Sequence, residues 1–304
     1  MSEPLHGPAA EQAAHLAKTL GGLRDPSIQV GWLRNQLLTL GAARATDVLT
    51  VVLAALIGPL LATKDWRSTD MGFVWEPPGE DFVLGADQLG RDVLARLLMG
   101  ARVSLVVAFG VLAIAMIVGV TLGMLAAWRG GWVDAVAMRA ADVTFAFPEL
   151  IIAILVAAML GPGVSTVILS LAIVSWPGIA RLTRALVLSL RGELFIEAAI
   201  ACGTPTRRIL LQHCLPNIVP ALIVRASVGV GFIVMAEATL SFLGLGVQEP
   251  LPSWGGMIRD GLPALRSDPY LALFAAAALG ATIIGFNMLG DGLRDLLDPR
   301  LAQR

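Results

Sequence analysis

Lysine is almost missing from this chain of 304 residues. Of its 22 basic side chains only Lys18 and Lys64 are lysines, and neither follows a glycine. A phosphate cradle of the Gly-Lys-Ser/Thr type needs both, so nucleotide binding by that route is excluded. Cysteine is scarce too: Cys202 and Cys214 are too few for a disulfide framework. The three histidines stand at positions 6, 15 and 213, outside every long apolar run, which removes the means of building a catalytic centre at membrane depth. Cys202, His213 and Cys214 match no common zinc spacing, so no metal site is expected. Charged residues make up only 15% of the chain and the net charge is −1, which offers nothing to a nucleic acid. Residues 1–45 are polar to mildly amphipathic with no long apolar run near the start, so no cleavable signal peptide is expected.

What the sequence has in abundance is apolar length. Apolar residues make up 56% of it and the mean hydropathy is +0.76, outside the range of soluble domains. The expectation is an all-α integral membrane protein with six transmembrane helices. A tail (1–45) precedes a first span (46–62), which is short for a hydrocarbon core of about 30 Å. An outer segment (63–101) with the turn signal Glu76-Pro-Pro-Gly79 follows, its end reading as an amphipathic surface helix that feeds the second span. A five-helix core (102–290) then holds spans near 103–128, 135–160, 164–191, 218–245 and 271–289, and a short tail (291–304) closes the chain. Gly119-Val-Thr-Leu-Gly123 is a close-packing pattern for helices in lipid, read here as packing within the same chain. Trp176-Pro177 predicts a bend in the fourth span, and Gly244 and Gly246 an end to the fifth.

Basic residues orient the chain. With both termini inside, 14 of the 22 Lys and Arg fall in inner segments, seven fall in outer ones, and Arg225 lies within a span. Such an inner excess is the expected asymmetry. It places the short mixed segment 192–216 in the cytoplasm, where both cysteines stay reduced.

That segment is the most informative in the chain. Leu194, Ala198 and Ala201 recur at helical spacing, as do Ile196 and Ile200, so about 192–202 reads as a short amphipathic helix. Gly203 can adopt the left-handed conformation that ends it. Thr204 and Pro205 read as an N-cap and a first-turn proline starting a second short helix. There Ile209, Leu210 and Leu211 form an exposed apolar ridge beside Arg207 and Arg208, and Pro216 closes the unit. Two helices meeting at a glycine outside the bilayer make a protrusion shaped to dock in a groove on another protein. Glu237 is the other residue singled out, a carboxylate in an apolar span; two readings stay open, a functional group or a carboxylate hydrogen-bonded within the bundle near its outer end.

Glu197, Ala198, Ala199, Gly203, Leu215 and Pro216 resemble the EAA loop of ATP-binding-cassette importer permeases, with His213 in place of the usual isoleucine. The resemblance extends over about 87–300. It includes Gly100-Ala-Arg-Val-Ser-Leu105, Gly130-Gly-Trp-Val-Asp134, the run from Ala236 to Gly246 and the run from Phe286 to Arg294. These are similar to the C-type permease of the dipeptide, oligopeptide and nickel importer group. What the resemblance implies is a permease in a bacterial-type cytoplasmic membrane, sharing its pore with a second, homologous permease. It implies two partner ATPase subunits that bind the ATP and magnesium, leaving no cofactor in this chain. It also implies an extracytoplasmic binding protein that delivers substrate. Without a phosphate cradle of its own, the chain is expected to receive force through a mechanical contact at 192–216, Glu197 and Gly203 shaping the lever and Arg207, Ile209 and Leu210 the docking surface. The chain itself is then not an enzyme. The implied cargo is a di- or oligopeptide, with a nickel chelate or another small solute as the alternative. An ion-coupled carrier would have only Arg225, Glu237 and Asp142 as coupling charges, shows no inverted repeat, and gives no reason for the Gly203 protrusion.

Overall fold

Long apolar runs fold as helices because, without water, every backbone amide and carbonyl must be paired within its own segment. The computed structural model describes residues 64–297, with side chains to Arg294. The tail 1–45, the first span 46–62 and residues 298–304 lie outside the described residues. Four described helices are long and apolar enough to cross a membrane, or five if one bent pair counts as a single span.

Helix α1, Val93–Arg129, starts where the Asp92 carboxylate accepts the amide of Ala95 at 2.9 Å. Its 37 residues extend roughly 55 Å at the usual helical rise, well beyond a hydrocarbon core. The amphipathic surface helix expected before the second span is not formed: of residues 84–96 only Val93–Arg96 is helical, as the start of α1. Residues 64–92 ahead of it are turns, a short 3₁₀ segment at Met71–Phe73 and an isolated bridge between Ala86 and Asp92.

The third span departs from expectation. Helices α2 (Gly131–Phe145) and α3 (Glu149–Leu160) meet at 90° around Pro148. Proline has no amide to donate and steers the preceding residue out of the helical region, so Phe147 and Pro148 break the run. Helix α4, Val164–Arg191, then runs as one element with Pro177 inside it. Gly119 and Gly123 let α1 and α4 approach closely. A Cβ at Gly119 would stand 2.8 Å from Ile179 and from the Trp176 carbonyl, and one at Gly123 would stand 2.5 Å from the Ala180 carbonyl. The glycine pair thus packs within the chain, as expected.

Helix α5 is Leu194–Ala201. Helix α6 covers Thr206–Phe242 and is continuous: three helical residues, a π segment at Ile209–Cys214, then Leu215–Phe242. Pro216 therefore does not close the loop, correcting the sequence reading. The wider π turn, in which the Leu215 amide bonds to the Leu210 carbonyl, lets a helix pass a proline whose ring would otherwise collide with the preceding turn. Gly244, at φ +82°, ends α6 with the Leu245 amide on the Leu240 carbonyl and its own amide on that of Ser241, the six-to-one and five-to-two bonds of a Schellman cap. A helix the sequence reading missed, α7 at Trp254–Gly261, follows a Ser253 cap, and α8 covers Tyr270–Leu297.

Two buried apolar clusters hold the bundle. One joins α1, α3, α4, α6, α7 and α8 through residues such as Val107, Leu171, Val234, Trp254 and Leu271. The other gathers Met124, Val187, Ile196, Ile209, Leu210 and Ile218 at the end where α1 finishes and α6 begins.

Candidate functional site

The 192–216 hairpin sits at that second end. Glu197 is exposed in the first turn of α5, where a carboxylate complements the helix dipole. Ala198 is exposed and Ala199 half-buried. Gly203 has φ +73°, its amide bonds to the Ile200 carbonyl at 2.9 Å, and the Thr204 amide reaches that of Ala199 at 3.1 Å. This is again a Schellman cap, so the glycine ends α5 as read from the sequence. The second helical stretch begins one residue later than expected, with Pro205 in extended backbone at the cap position and Thr206 first in the helix.

Of the ridge expected from the sequence only Leu211 faces outward. Ile209 and Leu210 are only 1% and 8% exposed, inside the second cluster with Ile196 and Cys214. Arg207 and Arg208 are exposed, Leu215 is half-buried and Pro216 exposed. The apolar side chains that do face outward are Leu194 at 81%, with Phe195, Ile200 and Leu211. Ile209, Leu210 and Leu211 are successive apolar residues at the start of α6, a run in which periodicity alone could not tell the inner face from the outer.

A polar clamp ties the hairpin down. Trp128 donates its indole N–H to Thr206 Oγ1 at 3.3 Å, and the Arg191 guanidinium stacks over the Trp128 ring at 5.4 Å. Arg191 also donates to the carbonyls of Ala127 and Trp128 at 3.4 and 3.3 Å, satisfying acceptors left open at the end of α1. Close by, Arg184 grips Asp134 through two bonds of 2.5 and 2.6 Å, and Arg181 pairs with Asp142 while lying over Phe145. These pairs join α2 to α4 and, with Arg139, line an open charged hollow.

Midway along the bundle a cleft of about 340 Å³ opens between α1, α2, α3, α4 and α6. Its walls are apolar, with Leu112, Phe145, Val228 and Phe232 among them, and its polar groups are Glu149, Ser175 and Arg225. Arg225 is exposed in this cleft.

At the opposite end Glu237 is fully buried. It accepts hydrogen bonds from Ser104 Oγ at 2.8 Å and Ser241 Oγ at 2.7 Å, so its carboxylate is hydrogen-bonded within the bundle. Beside that end lies an ionic cluster that the sequence did not reveal. Asp87 accepts from the amides of Leu89 and Arg91 and from Arg91 Nε at 2.7 Å. Arg91 reaches Glu249 through Nη1 at 2.6 Å and Nη2 at 3.2 Å, and Arg96 Nη2 reaches it at 3.0 Å. For Glu249, partial burial pushes the carboxyl upward, but Arg91 and Arg96 outweigh it and hold the carboxyl below its ordinary value. Burial likewise opposes the Arg91 charge, yet Glu249 and Asp87 hold its guanidinium above its usual value. Trp254 adds a pin, its indole N–H on the Leu97 carbonyl at 3.2 Å.

Comparison with known proteins bears on the same elements. A family model described as a binding-protein-dependent transport system inner membrane component matches residues 119–303, a range that takes in the hairpin, most of the cleft and Glu237. The dipeptide transport system permease protein DppC of Alkalihalophilus pseudofirmus is 39% identical over 268 residues, covering 88% of this chain and 87% of that protein. The oligopeptide transport system permease protein OppC of Bacillus subtilis is 35% identical over 303 residues, covering 100% of this chain and 98% of that protein. The glutathione transport system permease protein GsiD of Pectobacterium atrosepticum is 38% identical over 291 residues, 93% of this chain and 96% of that protein.

Proposed function

The chain belongs to the family of binding-protein-dependent transport system inner membrane components, and from that premise we propose that it is the permease subunit of an ATP-driven importer that carries peptides across the membrane. The observation that carries this reading is the similarity, over nearly the whole chain, to permeases named for dipeptide, oligopeptide and glutathione transport. The working unit is this permease paired with a second, homologous one, above two ATPase subunits that bind ATP and magnesium, with an extracytoplasmic protein delivering the peptide. Both termini and the 192–216 hairpin face the cytoplasm, in keeping with the excess of arginine in the segments on that side.

The geometry supports a passive, force-receiving role for the hairpin. Its outward face offers Leu194, Phe195, Ile200 and Leu211 beside Arg207 and Arg208, an apolar surface rimmed by cations that suits a groove on a partner. Its inward face, Ile196, Ile209 and Leu210, is packed against Met124, Val187 and Ile218. Closure of the ATPase pair drags the hairpin, and through that packing it moves α1, α4 and α6, switching the cleft between the two sides of the membrane.

The test is uptake of a labelled dipeptide by the complete complex in proteoliposomes. Import that requires ATP and the binding protein and is unaffected by ionophores is expected; import that follows an ion gradient without ATP would overturn the reading.

A further inference from the structure

Resting on the importer reading, we propose that Arg225 is a binding site for the terminal carboxylate of the peptide in transit. Arg225 lies near the middle of α6, on the wall of the apolar cleft. Among the described residues no carboxylate comes within 4.0 Å of its guanidinium, although six other arginines make such pairs or, like Arg191, cap carbonyls. A cation at membrane depth is costly and lines a pathway or meets an opposite charge. Two glycines make room for it. A Cβ at Gly178 would stand 3.5 Å from Nη2, and one at Gly229 would stand 3.6 Å from Nη1, so small residues leave the guanidinium open to the cleft.

The chemistry of the cleft matches a free peptide. A guanidinium presents planar paired donors that fit a carboxylate, and apolar walls strengthen that attraction by lowering the local dielectric. Glu149, in the first turn of α3, lines the same cleft with the opposite charge. It makes no ion pair with Arg225. Two separated charges of opposite sign complement a zwitterion, whose carboxylate and ammonium are likewise apart. A site that reads only the charged ends accepts peptides of varied side chains.

The experiment compares import of dialanine and of dialanine amide, which lacks the terminal carboxylate, by the whole reconstituted importer carrying Arg225, Arg225→Lys or Arg225→Gln. The wild-type complex prefers the free acid, and Arg225→Gln lowers dialanine import by roughly tenfold to a hundredfold, the effect of losing one charge-assisted contact. It also brings the acid and amide rates together, while Arg225→Lys falls between. An unchanged acid-to-amide ratio in Arg225→Gln overturns the site. So does loss of the second permease from the purified Arg225→Gln complex with Arg225→Lys intact, which would assign Arg225 to an intersubunit ion pair. A second readout needs no change at Arg225. A thiol placed by Ser175→Cys, with Cys202 and Cys214 replaced by serine, reacts more slowly with a thiosulfonate reagent when dialanine is present than when the amide is; equal rates contradict the proposal. Absence of ATP-driven dialanine import by the wild-type complex would instead refute the importer reading itself.

Discussion

At Gly203 the backbone has φ +73° and no heavy atom lies within 4 Å of where a Cβ would stand. A substitution there meets strain in the dihedral angle rather than a collision, about 1–2 kcal/mol for an ordinary L-residue. Asparagine visits this region readily and a β-branched residue does not. Gly203→Val therefore lowers ATP-driven uptake severely while membrane insertion persists, and Gly203→Asn retains most of it; equal loss in both, read by transport assay and complex purification, would contradict the cap as the reason. Two residues away in kind rather than in sequence, Ile209 and Leu194 divide the labour of the hairpin. Ile209→Ala opens a cavity in a packed cluster, a change that costs about 2–5 kcal/mol, and lowers the thermal stability of the permease in detergent. Leu194→Ser, at an 81% exposed position, leaves that stability unchanged and lowers ATP-driven uptake. The end of α5 at Gly203 was legible in the sequence as a glycine cap. The inward turn of Ile209 and Leu210 was not, because it follows from packing on α1 and α4, which no local pattern encodes.

Helices show the same division between what is local and what is not. The runs that become α1, α4, α6 and α8 are long and apolar enough to read directly, and the Gly119–Gly123 spacing announced a close approach. Its partner is α4, where the Ala180 carbonyl lies 2.5 Å from the position a Cβ at Gly123 would take. Backbone cannot yield as a flexible side chain can, so Gly123→Leu forces α1 from α4 and is expected to cost more than the about 1–3 kcal/mol typical of overpacking. Poor yield of folded permease from Gly123→Leu, beside normal yield from Gly280→Ala, where no heavy atom lies within 4 Å of a Cβ, checks this; normal yield from both would contradict the close contact. Three features escaped the sequence for physical reasons. The 90° break at Pro148 looked like one long span because the apolar composition continues across it. The continuity of α6 through Pro216 depends on a π turn. The order of residues 64–92 depends on Asp87, Arg91 and Glu249, the last 158 positions from Arg91, a separation at which periodicity carries no information.

Across the whole molecule, the two ends of the bundle are built differently. The hairpin end is an apolar cluster overlaid by arginine clamps, and the far end is a buried ionic group with a serine-bonded Glu237; the cleft with Arg225 lies between them. Such an arrangement suits a part that is gripped at one end and opens at the other. The most direct test of that claim uses the chain's own exposed Cys202, which sits beside Gly203 while Cys214 is buried. In the assembled importer, a short heterobifunctional reagent attached to Cys202 and activated toward neighbouring amines should capture an ATPase subunit and stop ATP-driven uptake. Capture of the extracytoplasmic binding protein instead, or labelling of Cys202 from outside intact cells by a membrane-impermeant maleimide, would contradict the account.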